Sequence, residues 1–275
     1  MKTIAITGAT GGIGQALALT YAGSGVRLYL TGRKKEVLEA LKRQCELLGA
    51  EVILTVMDLR DEDARTSWVK KVAKEADLSV VIFCAGVSSS VEKVGEVWLP
   101  ERTEDLLREM QINAISPLLG ANELVRERLG RGNFSPFHIV MISSLAAMTG
   151  LPCSAGYSAS KVAVRVFAQS LRRFLAPYNI RVSVVLPGYV DSSMSRRYIG
   201  QKPWMISAAL AAAKIKKGVE QNRAEIIFPS ILAWGIRLLE MLPEWCQSFF
   251  LKSFFFTVVP DEEAQMKRQK SFKED

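Results

Sequence analysis

Apolar residues in this chain cluster into short continuous runs, separated by longer stretches in which they recur at three- and four-residue intervals. The runs at residues 3–7, 26–31, 52–56, 79–83, 138–142 and 181–186 are rich in Ile, Val and Leu. Strands with this little polar alternation are buried on both faces, and the helix-length segments between them make βαβ crossovers. The predicted fold is α/β: a doubly wound parallel sheet, Rossmann-like, of about seven strands with helices on both faces. Residues 192–218 read as a helical excursion that covers a substrate site, and 224–228 as one more strand. Residues 1–228 thus form one expected domain, with neither an internal repeat nor a low-complexity linker.

The pattern changes after residue 228. Residues 229–260 hold five of the twelve phenylalanines (Phe249, Phe250, Phe254, Phe255 and Phe256) together with Trp234 and Trp245. Arg237, Glu240, Glu244 and Lys252 interrupt the segment, so no charge-free run reaches the ~20 residues that span a bilayer. Helical spacing over 230–242 gathers Ser230, Arg237, Glu240 and Glu244 near a narrow stripe and leaves Ile231, Leu232, Trp234, Leu238, Leu239 and Leu242 on a wide apolar face. The next segment repeats the arrangement. This apolar helical appendage has three readings: a face laid in a membrane interface, a roof over a pocket for a long apolar substrate, or a surface covered by another subunit or by ordinary core packing. Residues 261–275 are highly charged and are expected to fray.

Length and composition narrow the chemistry. With 275 residues, 49% hydrophobic and 23% charged, the chain suits one large domain with an appendage. Its one histidine, His138, sits inside an apolar run, which excludes multi-histidine metal sites and disfavours a Ser-His-Asp triad. Four scattered cysteines without a Cys-x-x-Cys pair fit neither a zinc site nor a disulfide framework, so no metal is expected. A reducing compartment follows: cytoplasmic, with peripheral association at the inner face of a membrane if the appendage meets lipid. The net charge of +8 suits an anionic cofactor or an anionic surface, while no basic run interleaved with aromatics points to nucleic acid.

Candidate chemistry begins at Thr7-Gly8-Ala9-Thr10-Gly11-Gly12-Ile13-Gly14, between the first predicted strand and a helix. Such a turn lets backbone approach a pyrophosphate whose charge meets the helix N-terminus. The second strand ends in Gly32-Arg33-Lys34, where an NAD-selective fold would place an acid. Arg33 can instead pair with a 2′-phosphate, which favours NADP(H). Tyr157 and Lys161, four residues apart, share one face of a helix. A phenol with an ordinary pKa of about 10 works as an acid/base near neutrality only if its phenolate is stabilised, and a neighbouring ammonium can do that.

Taken together, Thr7-Gly8-x-x-x-Gly12-x-Gly14, Ser144 thirteen residues before Tyr157, Lys161, and Pro187-Gly188 resemble the short-chain dehydrogenase/reductase family in its shorter single-domain form, over about residues 2–195. The resemblance implies that Tyr157 is the general acid/base, that Ser144 binds the substrate oxygen, and that Lys161 holds the nicotinamide ribose and lowers the tyrosine pKa. Asn113 corresponds to the asparagine that holds a water in the proton relay. Cofactor contacts are implied for Gly8, Thr10, Gly12, Ile13, Gly14, Arg33, Ala85, Gly86, Asn113, Tyr157, Lys161, Pro187, Gly188 and Val190. Asp58-Leu59 resembles the pair whose acid contacts adenine, although Asp58 also reads as a helix cap. One triplet departs from the family: Cys84-Ala85-Gly86 stands where Asn-Ala-Gly is usual, which weakens a structural tie near the adenine.

The expected function is an NADP(H)-dependent transfer of hydride between nicotinamide and a ketone or secondary alcohol. The alternative is a non-catalytic NADPH-binding sensor or scaffold at a membrane surface. Met148, Leu151, Met194, Tyr198 and Trp204 suggest an apolar substrate pocket. The expected partners are a small carbonyl or alcohol substrate, a membrane surface met through residues 229–260, and further copies of the chain in a homodimer or tetramer.

Overall fold

The computed structural model describes residues 1–251, 256–261 and 265. The first half runs β1 (Lys2–Thr7), α1 (Gly12–Tyr21), β2 (Val26–Gly32), α2 (Lys35–Leu47), β3 (Glu51–Val56), α3 (Glu62–Ala73) and β4 (Leu78–Phe83). A small hairpin, β5 (Glu92–Val94) and β6 (Val97–Leu99), precedes α4 (Thr103–Glu109), which passes through a π-helical turn at Met110–Ile115 into α5 (Ser116–Gly130). Next come β7 (His138–Ile142), α6 (Ala155–Leu175), β8 (Arg181–Pro187), the short α7 (Ser193–Arg196) and β9 (Tyr198–Ile199), α8 (Ala208–Glu220) and β10 (Glu225–Phe228). The appendage contributes α9 (Ser230–Leu239), α10 (Glu244–Leu251) and β11 (Thr257–Val258).

Seven parallel strands form the main sheet in the order β10-β8-β7-β4-β1-β2-β3, and each predicted strand ends within one residue of its observed bounds. Leu17, Leu38 and Ile215 bring α1, α2 and α8 onto one face, while Trp68, Leu124 and Val164 bring α3, α5 and α6 onto the other. Burial from both sides is why these strands lack polar alternation. Strand order reverses at β1, which has β2 on one side and β4 on the other, so a crevice opens at the carboxyl ends of these strands. The loops after β1, β4, β7 and β8 all reach that rim.

The excursion at 192–218 is not one helix. Gly200, at φ +150°, and Pro203 break the helical run. What remains is a capped turn at α7, the two-residue β9, and a Val190–Ile206 bridge that closes the loop on itself. The later part, α8, is a framework helix packed on α1, with Ala211, Ala212 and Ile215 buried.

The appendage is helical as expected, but it divides at Pro243 and then folds back onto the body. β11 pairs antiparallel with β9, and the Val258 N–H donates to Ser90 Oγ at 2.8 Å. Arg108, buried in α4, forms a two-pronged ion pair with Asp261 at 3.0 and 2.6 Å. The fraying expected of 261–275 therefore does not begin at Asp261, while residues 262–264 and 266–275 lie outside the described residues, as do Lys252, Phe254 and Phe255. Among the described residues no helix is long and apolar enough to cross a membrane.

Candidate active site

The turn after β1 is shaped by what it cannot accommodate. Gly8 has φ +68°, and a Cβ there would lie 2.6 Å from Ala85 Cα; a Cβ on Gly14 would lie 2.2 Å from the Gly8 carbonyl oxygen. Only glycine lets the first turn of α1 close this tightly over the strand end. A Cβ on Gly12 would meet Ser192 at 2.7 Å, so the turn lies directly beneath the loop that follows β8. Gln15 Nε2 donates to the Thr10 carbonyl at 2.9 Å and fixes the turn from within.

Arg33 is exposed at the end of β2. Asp58, at the end of β3, is held below the usual carboxylate range, chiefly by its hydrogen bonds to Arg60 at 2.6 to 3.1 Å and further by the charge of Arg33. The helix cap of α3 is Asp61, which accepts from the Ala64 N–H, and not Asp58. The Leu59 carbonyl accepts from Ser116 Oγ at 2.9 Å, tying the strand end to α5.

Asn113 lies in the π-helical turn, where the widened backbone aims its side chain at the loop after β4. Its amide makes a two-way clamp with Val87, accepting from the N–H at 2.8 Å and donating to the carbonyl at 2.9 Å, and it also donates to Ser160 Oγ at 3.2 Å. The side chain thus locks the β4 loop against α6. At Cys84 the tie to β1 is made by the backbone, whose N–H donates to Thr7 Oγ1 at 3.1 Å. The half-buried thiol is pushed up to about 12 by burial and faces the cavity.

Ser144, Tyr157 and Lys161 converge. Ser143 Oγ donates to the Lys161 carbonyl at 2.7 Å and pins α6 to the end of β7. Ser144 Oγ accepts from the Ala146 N–H at 3.2 Å and lies close enough to the Tyr157 phenol to favour its ionised form. The Lys161 ammonium donates to the Ile142 carbonyl at 3.2 Å and lies 5.6 Å from the centre of the Tyr157 ring. Burial pushes the phenol up to about 12 against the opposing influence of the Ser144 hydroxyl, and it brings the ammonium down to about 8. The lowering of the phenol expected from Lys161 is therefore not achieved by these side chains alone. His138 plays no part: buried in β7 and bonded to Ser183 Oγ at 2.8 Å, its ring is pushed down to about 4, mainly by burial.

These three residues stand at the floor of a cavity of about 490 Å³. Ile13, Gly86, Pro187, Gly188 and Val190 border it, as do Leu151, Met194 and Tyr198, whereas Met148 and the exposed Trp204 do not. Its roof is the appendage: Leu232, Ile236, Leu239 and Leu242 with Phe250 and Phe256. Sequence reasoning missed Tyr189 and the inward aim of Phe256, which packs edge-on against Tyr198 at 4.9 Å between ring centres. The first was legible from its place inside Pro187-Gly188-Tyr189-Val190; the second depends on a two-residue strand pairing that leaves no periodic signal.

Comparison with known proteins agrees with this geometry. The chain is 32% identical over 243 residues to an "Uncharacterized oxidoreductase" of Myxococcus xanthus, covering 88% of this chain and 93% of that one. It is 31% identical over 254 residues to a "Hydroxysteroid 11-beta-dehydrogenase 1-like protein" of Xenopus tropicalis, covering 88% and 82%. Its fold matches a short-chain dehydrogenase from Sphingobium yanoikuyae, solved in complex with NADPH, with a TM-score of 0.72 at 22% identity over 89% of this chain and 97% of that one. The family model for short chain dehydrogenases matches residues 2–203, and the chain belongs to that family of oxidoreductases.

Proposed function

We propose that this protein is an NADP(H)-dependent oxidoreductase that interconverts a bulky, apolar ketone and its secondary alcohol. The observation that carries the reading is the cavity itself: Ser144, Tyr157 and Lys161 supply polar groups at one end, and the rest is almost wholly apolar up to a roof of leucines and phenylalanines. A carbonyl would be oriented with its oxygen toward this polar end and its apolar bulk toward the roof.

The residues present fit the cofactor. The Gly8–Gly14 turn leaves no Cβ between backbone and a pyrophosphate, and the N-terminus of α1 meets that charge. Arg33 stands where a 2′-phosphate would be bound, and Gly32 before it offers no carboxylate to prefer a hydroxyl. When bound, NADP(H) supplies or accepts the hydride, and its oxidised form adds a positive ring beside the phenol. Lys161, anchored on the Ile142 carbonyl, holds the nicotinamide ribose. Tyr157 donates the proton to the carbonyl oxygen or takes it from the alcohol, while Ser144 holds that oxygen in place. Asn113 acts through its clamp on Val87 and Ser160, which sets the spacing between the β4 loop and α6; the same placement supports a part in holding a relay water. Asp58, engaged by Arg60, lies within electrostatic reach of Arg33 and borders the adenosine end.

The test is NADPH consumption, read by absorbance, over a panel of ketones of increasing apolar bulk. Faster turnover of bulky members with NADPH than with NADH supports the reading; turnover confined to small, polar carbonyls overturns it.

A second reading concerns the outside of the roof. Ile231, Trp234, Met241, Trp245 and Phe249 are exposed on α9 and the segment that follows, several of them beyond 60%. An apolar outer face rich in Trp and Phe favours docking on a lipid surface, on the cytoplasmic side given the unpaired cysteines. Flotation of the full chain with liposomes supports this, and a protein that stays in the dense fraction overturns it. A dimer or tetramer formed through the same face instead would appear as a larger sedimentation mass without flotation.

A further inference from the structure

A carboxyl group that no sequence motif singled out lies directly behind the general acid. Glu109, the last residue of α4, is 1% exposed. One carboxyl oxygen accepts from the Ser89 N–H, and Oε2 has no hydrogen-bond partner among the described residues. That oxygen lies 2.8 Å from the point where a Cβ on Gly156 would stand, the residue immediately before Tyr157. Glu101 reaches the same spot from the segment before α4: its Oε2 accepts from the Gly156 N–H at 2.8 Å, and its Oε1 accepts from Ser89 Oγ at 3.1 Å. Two carboxyl groups therefore converge beneath the first turn of α6. Ser154 Oγ, donating to the Ser89 carbonyl at 2.7 Å, closes the ring of contacts.

One negative charge at a helix N-terminus is favoured by the helix dipole, and the bond to Gly156 gives that place to Glu101. A second charge in a buried site meets both desolvation and repulsion. We propose that Glu109 is a positioning residue for the reaction: as a neutral acid it packs against the start of α6 and keeps Tyr157 seated at the cavity floor, and when ionised it opposes formation of the Tyr157 phenolate. Burial and then Glu101 push its carboxyl up to about 8, so the change falls in a working pH range. The other charged and titratable groups around it are Asp105 on α4, Tyr157 and Lys161 on α6, and Tyr198 on β9. Arg108, the preceding residue, is turned away to Asp261. Gly156 is part of the device, since any side chain there would collide with Leu106 as well as Glu109.

The effect on Tyr157 rests on its reading as general acid/base, so the test uses one readout that needs no activity. In Glu109→Gln the shape is kept and the charge removed. Because the native carboxyl is raised in the folded state, its stabilising contribution is present below the usual carboxylate range and is lost as pH rises toward about 8. The melting temperature of the native chain should therefore fall relative to Glu109→Gln between about pH 5 and pH 8. Glu101→Gln, which removes the neighbouring charge, should make that decline smaller and end it at lower pH. Parallel melting curves of the native chain and both variants overturn the buried acid. In alcohol oxidation, the limb of the kcat/KM profile that belongs to Tyr157 should shift down by about one pH unit in Glu109→Gln. An unmoved limb overturns the coupling, while a Tyr157→Phe variant with native rate would overturn only the assignment of the general acid and leave the melting result standing.

Discussion

The floor and the roof of the cavity are built on opposite principles. The floor comes from strand ends and the first turns of α6, and its polar groups are fixed by reciprocal ties: Ser143 to the Lys161 carbonyl, Lys161 to Ile142, Asn113 to Val87. The roof comes from the chain after β10, carries no polar side chain into the cavity among the described residues, and is fastened mainly at its far end, by β11 on β9 and Asp261 on Arg108. Placing reacting groups takes directional bonds on a rigid sheet, whereas enclosing an apolar substrate takes area and shape. The floor should decide whether reaction occurs, and the roof what reacts.

The largest effect expected is on the floor. Tyr157→Phe removes one ionisable oxygen and keeps the ring, so turnover should fall about 10²- to 10⁴-fold while NADPH affinity stays near native. Steady-state rates together with a binding titration check this. A variant that lost cofactor affinity and turnover equally would mean the phenol serves the nucleotide more than the proton.

A middle-sized effect is expected at the nucleotide end, far from the roof. Arg33→Ala should weaken NADPH binding about tenfold and leave NADH nearly unchanged, as suits the loss of one charge-assisted contact at an exposed position. Equal weakening of both cofactors would place Arg33 on the shared part of the nucleotide and not on the 2′-phosphate.

The two regions also differ in how plainly the sequence announces them. The parallel sheet was legible because its strands are buried on both faces and leave apolar runs that nothing interrupts. Ser144, Tyr157 and Lys161 were legible because a strand end and one helical turn fix their spacing locally. The break at Gly200 and Pro203 was missed by reading 192–218 for its helical periodicity and passing over its breakers. The seating of the appendage was not legible at all. The helices of 230–251 showed in their period, but an amphipathic face does not say what covers it, and here α9 is apolar on both sides: Leu232, Ile236 and Leu239 look inward while Ile231 and Trp234 look out. The contacts that settle the matter join residues some 150 positions apart, as in Arg108 with Asp261. Glu109 escaped notice for the same reason, since a lone glutamate at a helix end reads as solvated until the fold brings Gly156 and Glu101 to it.

The division of labour between floor and roof is tested most directly by replacing Leu232 and Leu239 with serine in the full chain and measuring kcat and KM with NADPH for a bulky apolar ketone and for a small one. The polar side chains would face the cavity without touching Ser144, Tyr157 or Lys161. The account predicts a rise of about tenfold in KM for the bulky ketone, with kcat/KM for the small ketone within about twofold of native. Equal losses for both ketones, or no change for either, would contradict it.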